Sequence, residues 1–316
     1  MALKLDASMK FGVTARLSNR PVIRQTVALL EELDYASLWA GDHIAFTSPI
    51  LDPMLGLSQA AALSDRLLIG TSVYLLPLRS AAAAAKLGAS LDHLSEGRFI
   101  FGVGAGGEFP REFAACGVPL AERGQRMSEG IEVMRKLWSG KPVSHAGRLW
   151  TFDEVHMQPS PYSPGGPPVW CGGRSEAALR RAGRLGDGWI SYVVTPEQFA
   201  AGVATIDAAR AEAGRSGQPF GTAHLLFARL DDSYDKALDD ATALLSERYA
   251  MDFRKAAQRY CALGNPDAIA GTLRKFHAAG VRHVILDMLG TPEEREAQLR
   301  RFAAEVRPQI QDIECG

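Results

Sequence analysis

Three short stretches carry residue types and spacings that could do chemistry. Asp42-His43 sets a carboxyl group beside an imidazole that can donate or accept a proton near neutral pH. The same pair also fits a loop histidine with a structural partner. Gly102, Gly104 and Gly107 have the G-x-G-x-x-G spacing of a dinucleotide-binding turn, and Glu108 follows as either a catalytic acid or a solvated loop carboxylate. In Gly172-Gly173-Arg174-Ser175, two glycines free backbone N–H groups, Arg174 can grip a phosphate in bidentate fashion, and Ser175 can cap a helix. That stretch fits equally an ordinary glycine turn with a serine cap.

The elements that must position these residues follow one rhythm. Strands are expected over Phe11–Ala15, Ala36–Ala40, Leu67–Leu76, Phe99–Val103, Pro168–Gly173, Gly188–Val193, His224–Leu230 and His283–Met288. Helices are expected between them: one capped by Asn19, then Leu55–Leu63, Ser80–Leu94, Glu122–Trp138, Ser175–Leu185, Pro196–Ala213, Tyr234–Tyr249, Pro266–Ala279 and Pro292–Val306. A loop runs through Pro119, and Asp252–Leu263 carries no clear signal. The proline-rich stretch Lys141–Pro168 reads as an excursion holding a hairpin over Gly147–Met157. Eight strand-then-helix units predict an α/β fold, a (β/α)8 TIM barrel with an insertion before the fifth strand. No low-complexity linker divides the chain, so one domain over 1–316 is expected.

Barrel enzymes work at the C-terminal ends of their strands. That rule selects Thr14, Asp42, His43, Ser72 to Leu76, Gly104 to Glu108, Gly172 to Ser175, Tyr192, Arg229 and Asp287 to Gly290. The dinucleotide reading weakens here, because its turn belongs after a first strand and ahead of an immediate helix. Here it follows the fourth strand, Pro110 stands close behind, and Glu122 and Glu129 fall on a helix. A metal site is not expected: there is no H-x-H, and His43 is the one histidine at a strand end. His93, His145, His156, His224, His277 and His283 read as structural. No lysine at a strand end offers a Schiff base, and the acids are too sparse for a glycosidase pair. Such a mouth suits a large planar cofactor that carries the redox chemistry itself.

Bulk properties narrow the partners. With 35 basic and 36 acidic residues, net charge −1, nothing points to nucleic acid. Cys116, Cys171, Cys261 and Cys315 show no C-x-x-C spacing and read as free thiols. The N-terminus lacks an apolar signal core, and the apolar run Leu67–Leu78 is too short for a bilayer. A soluble cytoplasmic protein with no membrane partner is expected.

Several ordered motifs resemble the bacterial luciferase-like superfamily of FMN- or coenzyme F420-dependent oxidoreductases. They are Asp42-His43, Ile69-Gly70-Thr71-Ser72-Val73, Leu91 to Arg98, Gly102 to Gly106, Glu122-Arg123-Gly124 and Gly186-Asp187-Gly188-Trp189. The resemblance implies a cis peptide at Ser72-Val73 forming a bulge behind the cofactor ring, and cofactor phosphate on Gly172, Gly173, Arg174 and Ser175. It implies that Gly104, Ala105 and Gly106 let the ring approach backbone, that Asp42 lies at the cofactor, and that His43 and Glu108 exchange protons with substrate. Phe46 is the candidate for the aromatic residue found near that histidine. With reduced FMN and O2 the implied reaction is monooxygenation of a small organic substrate, served by a separate reductase. With F420 it is hydride transfer. A flavin-binding member without turnover is the third reading, and a homodimer is the expected assembly.

Overall fold

A computed structural model describes residues 7–46, 49–249 and 251–315. The strands are β1 (Lys10–Thr14), β2 (Ser37–Ala40), β3 (Leu68–Thr71) with its short continuation β4 (Tyr74–Leu75), β5 (Phe99–Gly104), a hairpin β6 (Val143–Ala146) and β7 (Thr151–Val155), β8 (Val169–Gly172), β9 (Gly188–Tyr192), β10 (Gly221–Leu230), β11 (Ala262–Gly264) and β12 (His283–Met288). Eight of them pair in parallel in the order β1-β2-β3-β5-β8-β9-β10-β12, and β12 returns to β1 to close the ring. The chain is a (β/α)8 TIM barrel. Strands β5 and β12 are buried at every position, as parallel strands covered on both faces must be.

The helices are α1 (Arg20–Glu32), α2 (Pro53–Ala61), α3 (Ala81–Leu94), α4 (Pro110–Ala115), α5 (Arg123–Leu137), α6 (Glu176–Leu185), α7 (Pro196–Glu212), α8 (Tyr234–Tyr249), α9 (Arg254–Tyr260), α10 (Pro266–Ala278) and α11 (Pro292–Arg301). Several starts are written in the sequence. Asn19 and Asn265 accept N-cap hydrogen bonds with proline in the following turn, and Thr195 and Thr291 form full capping boxes with Gln198 and Glu294.

The differences from expectation have local causes. The third strand is interrupted at Ser72-Val73, whose peptide is cis, and pairing with β5 resumes at Tyr74. The hairpin of the excursion spans 143–155 rather than 147–157. The Glu129 carboxylate accepts the Leu149 and Trp150 amides at 2.9 Å, which makes Gly147–Trp150 the turn and not a strand. The seventh barrel strand starts at Gly221, since Gly221 and Thr222 already pair with β9. The unassigned stretch forms α9 and β11, and β11 adds in parallel to the outer end of β10.

The barrel interior is filled by Trp39, Ile100, Trp170, Ile190, Ala223 and Ile285, with the two indole rings 5.7 Å apart. A separate small core, including Phe227, Leu238, Leu245, Phe253, Leu263 and Leu289, sits under α8 and α9.

Two buried histidines make stability depend on pH. Burial pushes both His224 and His283 down to about 3; Lys10 adds to the effect at His283, while the Ser191 contact opposes it at His224. Ser37 Oγ lies 2.7 Å from His283 Nε2 and accepts the Trp39 indole N–H. An unfolded histidine takes its proton near pH 6.5. The unfolded chain therefore binds more protons between about pH 6.5 and 3, and stability, complete above that window, falls as pH drops through it. Each histidine adds a slope of up to about 1.4 kcal/mol per pH unit. In urea unfolding between pH 7 and 4.5, His283→Gln is expected to show an acid slope shallower by about one proton. Equal slopes in the two proteins would mean that His283 is protonated inside the fold.

Candidate active site

At the C-terminal ends of the strands lies a cavity of about 670 Å³. Every residue named above as catalytic or cofactor-binding lines it: Asp42, His43, Ser72, Val73, Gly104, Ala105, Gly106, Glu108 and Gly172 to Ser175.

His43 follows β2 in the loop that leads to α2. Its Nδ1 lies 3.0 Å from Glu112 Oε2, and the other Glu112 oxygen accepts the Ala45 amide at 2.9 Å. Glu112 is buried in α4, so its carboxylate is held at both oxygens. The imidazole stacks on Phe46, centroids 4.4 Å apart, and meets the edge of Phe109. With Nδ1 on Glu112, the tautomer that the network assigns carries its proton there. Among the described residues no hydrogen bond engages Nε2, and His43 lines the cavity.

Asp42 has a different environment. Its carboxylate accepts the Leu75 amide at 2.8 Å and both terminal nitrogens of Arg79, at 2.5 and 2.8 Å. Burial pushes the Asp42 carboxyl above its ordinary range, with Arg79 opposing. Burial likewise pulls on Arg79, yet Asp42 keeps that guanidinium above its own ordinary value. The Coulomb and hydrogen-bond geometry favours the ionised pair. Both Asp42 oxygens are thus engaged within the protein, on the segment that follows the Ser72-Val73 bulge.

Val73 explains the glycines around it. A Cβ on Gly104 would stand 2.2 Å from Val73 Cγ2, and one on Gly172 would stand 2.9 Å from Val73 Cγ1. A Cβ at either position would meet the Val73 side chain. Gly102 similarly admits the Thr71 carbonyl of the next strand, so its place in the G-x-G-x-x-G spacing is a matter of barrel packing. Beside Val73, Ser72 Oγ is buried with no hydrogen-bond partner among the described residues.

Across the mouth, the turn after β8 leads into α6. Gly173 has φ +117, a region that favours glycine. The Trp189 indole donates to its carbonyl at 2.7 Å and pins the turn. Ser175 Oγ accepts the Ala178 amide, so the serine cap is real, and Arg174 lies over the Tyr192 ring. A helix start leaves further amides and a positive dipole end facing the cavity. Glu108 accepts a hydrogen bond from the Tyr192 hydroxyl, which ties the end of the fourth barrel strand to the sixth. Glu108 is otherwise exposed.

Sequence reasoning missed Glu112 and the arginines Arg16, Arg248 and Arg295, which also line the cavity. Glu112 lies in what reads as a loop. Its one signal is Pro110, which opens a short helix two residues ahead. Among the described residues no group of three or more histidine, cysteine or acidic side chains is placed to hold a metal ion, and no helix is long and apolar enough to cross a membrane.

Comparison with known proteins agrees with this architecture. The luciferase-like monooxygenase family matches residues 9–306, and the chain belongs to that family. The F420-dependent glucose-6-phosphate dehydrogenase of Microbacterium testaceum is 26% identical over 311 residues, 89% of this chain and 91% of that protein. The 4-hydroxyprotoasukamycin monooxygenase of Streptomyces nodosus subsp. asukaensis is 30% identical over 221 residues, 67% of this chain and 59% of its own. The chain spans about three fifths of the length of several curated relatives it matches. Among solved structures, an F420-dependent secondary alcohol dehydrogenase in complex with an F420-acetone adduct superposes with a TM-score of 0.84 at 20% identity, over 96% of this chain and 99% of that one, a likeness of fold. The family contains both monooxygenases and F420-dependent dehydrogenases.

Proposed function

We propose that this chain is an F420-dependent oxidoreductase that exchanges hydride with a small alcohol or carbonyl substrate. The observation that carries this reading is the His43–Glu112 pair in the cavity wall, with Nδ1 anchored and no hydrogen bond at Nε2 among the described residues. Oxidising an alcohol removes a hydride from carbon and a proton from oxygen. The bound deazaflavin supplies the hydride acceptor. The protein's own task is the proton: His43 Nε2 takes it from the hydroxyl, and the resulting imidazolium is stabilised by the buried Glu112 carboxylate. In the reverse direction the same nitrogen protonates the nascent alkoxide.

The cavity fits such a ring. Val73 offers an apolar backing, Ser72 an unsatisfied hydroxyl, and Gly104, Ala105 and Gly106 a backbone edge. Gly172, Gly173, Arg174 and Ser175 would hold the phosphate through amides, a helix start and a guanidinium. Asp42 acts through Arg79 and Leu75 by fixing the segment beyond the bulge. Glu108, bonded to Tyr192, closes the opposite edge and is a positioning residue in this reading.

A second reading is an FMN-linked monooxygenase served by a separate reductase. The 30% identity to the protoasukamycin monooxygenase favours it. Titration of the protein with FMN and F420, each oxidised and reduced, followed by absorbance and fluorescence, separates the two. F420 binding, weakened about tenfold by Arg174→Gln, is the expected result. Binding of FMN alone supports the monooxygenase. Binding without turnover of any alcohol, aldehyde or O2 supports a non-catalytic member. Binding of neither overturns the reading.

A further inference from the structure

The rim of the cavity between β12, β1 and α8 has a charge pattern that proton transfer does not use. Asp287, next to last in β12, accepts from Arg248 Nη1 at 2.7 Å and from Arg295 Nη2 at 3.3 Å. Arg295 also donates to the Thr14 carbonyl at 3.1 Å. Arg16, two residues beyond β1, belongs to the same group. Burial, then the neighbouring Arg248 and Arg295, pull its guanidinium below its ordinary value, while Asp287 and the exposed Glu247 act the other way. Arg16, Arg248, Asp287 and Arg295 all line the cavity.

Two guanidinium groups, Arg248 and Arg295, thus share the one buried carboxylate of Asp287, with Arg16 beside them in the cavity lining and the exposed Glu247 outside. Such an excess of one charge in a walled cleft focuses a field on the opposite charge. Arg248 Nε is buried with no hydrogen-bond partner among the described residues. Burial, opposed by Arg248 and helped by Asp287 and Glu108, pushes the Tyr249 hydroxyl up to about 12. The cavity lining also includes the apolar Leu225 and Phe227 of β10 and Ile190 of β9.

We propose that this rim anchors an oxyanion carried by the substrate: a carboxylate, sulfonate or phosphate at one end of an apolar body whose reacting carbon lies near His43. The proposal rests on the reading above in that ring and substrate share the cavity. The rim is separate from the glycine turn. That turn follows the fifth barrel strand, whereas the arginines flank the eighth and first, on the far side of the ring of strands. Two cationic ends then divide the work, one for each ligand. Arginine suits the task because its planar fork matches an oxyanion in bidentate fashion.

The test is calorimetric titration of the full chain with 4-phenylbutyrate, 4-phenylbutane-1-sulfonate and 4-phenylbutyl phosphate against the neutral 4-phenylbutyramide, each with and without saturating F420 or FMN. The expected result is binding of at least one anion about tenfold or more tighter than the amide, a preference that shrinks with added salt. Arg16→Gln and Arg295→Gln should remove the preference. Asp287→Asn keeps the shape but removes the internal counter-charge, so it should strengthen anion binding. This opposite sign keeps the test decisive if an arginine variant fails to fold. The ranking of the three anions identifies the head group. Equal affinity for acid and amide overturns the proposal. So does displacement of the anion by the cofactor, which would assign the arginines to the cofactor phosphate. An anion preference in a chain that binds neither F420 nor FMN would sink the proposed function and leave this site standing. Cofactor binding without anion preference would do the reverse.

Discussion

Replacing His43 by alanine is expected to lower kcat by about 10²–10⁴-fold, the usual worth of a positioned general base, while F420 binds as before. The measurement is turnover on whichever alcohol of a panel the wild-type protein oxidises, with the cofactor dissociation constant followed in parallel by fluorescence. Among the described residues His43 contacts Glu112, Phe46 and Phe109, and not the glycine turn after β8. Removing the imidazole should therefore spare cofactor binding. Glu112→Gln separates proton chemistry from positioning. It retains the side-chain shape and the Ala45 hydrogen bond but loses the charge that stabilises the imidazolium. Its defect should appear in kcat and in the pH profile, not in KM. Full turnover in His43→Ala, with cofactor affinity intact, would remove His43 from the mechanism.

Gly104→Ala is expected to cost about 1–3 kcal/mol of stability, the range for forcing an extra carbon into a packed site, and to weaken cofactor binding with it. The new Cβ would lie 2.2 Å from Val73 Cγ2, far inside van der Waals contact, so the Val73 segment must shift. Gly172→Ala should act in the same direction but more mildly, since its nearest contact is 2.9 Å. Val73→Ala removes the obstructing methyl groups. The double variant Gly104→Ala/Val73→Ala should then be more stable than the sum of its single changes predicts. A coupling of 0.5–3 kcal/mol is the range for residues in direct contact, about the size expected here. Chemical denaturation of the four proteins in this cycle provides the check. Simple additivity would show that the valine does not occupy that space in solution.

The strand-and-helix alternation was legible because each buried parallel strand is a short apolar run and each helix brings its own cap, as at Asn19, Thr195 and Asn265. From it the rule of C-terminal strand ends led to His43, Val73 and the turn at Gly172. What stayed hidden depends on closure of the ring. Glu112 is 69 residues from His43, on a one-and-a-half-turn helix inside an apparent loop. Arg248 sits near the end of a helix and Arg295 near the start of another, positions where a rule about strand ends does not look. Asp42 shows how little the sequence says of a partner. It stood out as an acid beside a histidine, but its partner is Arg79, 37 residues on, and only the fold brings them together. The glycines of the fourth strand show that spacing alone is ambiguous, since a missing Cβ can admit a neighbouring carbonyl or methyl group as readily as a ligand.

The small core beneath α8 and α9 is distinct from the large one that holds the barrel together. It carries the segment that ends in Arg248 and Tyr249. The wall facing the substrate is therefore upholstered on a cushion of its own. Leu238, Leu245 and Phe253 share that core with Phe227 of β10, so exchanging them would tilt or retract the wall from one barrel strand, away from the glycine turn. A laboratory seeking to retarget this chain would begin its library in that one panel, away from His43 and the glycine turn.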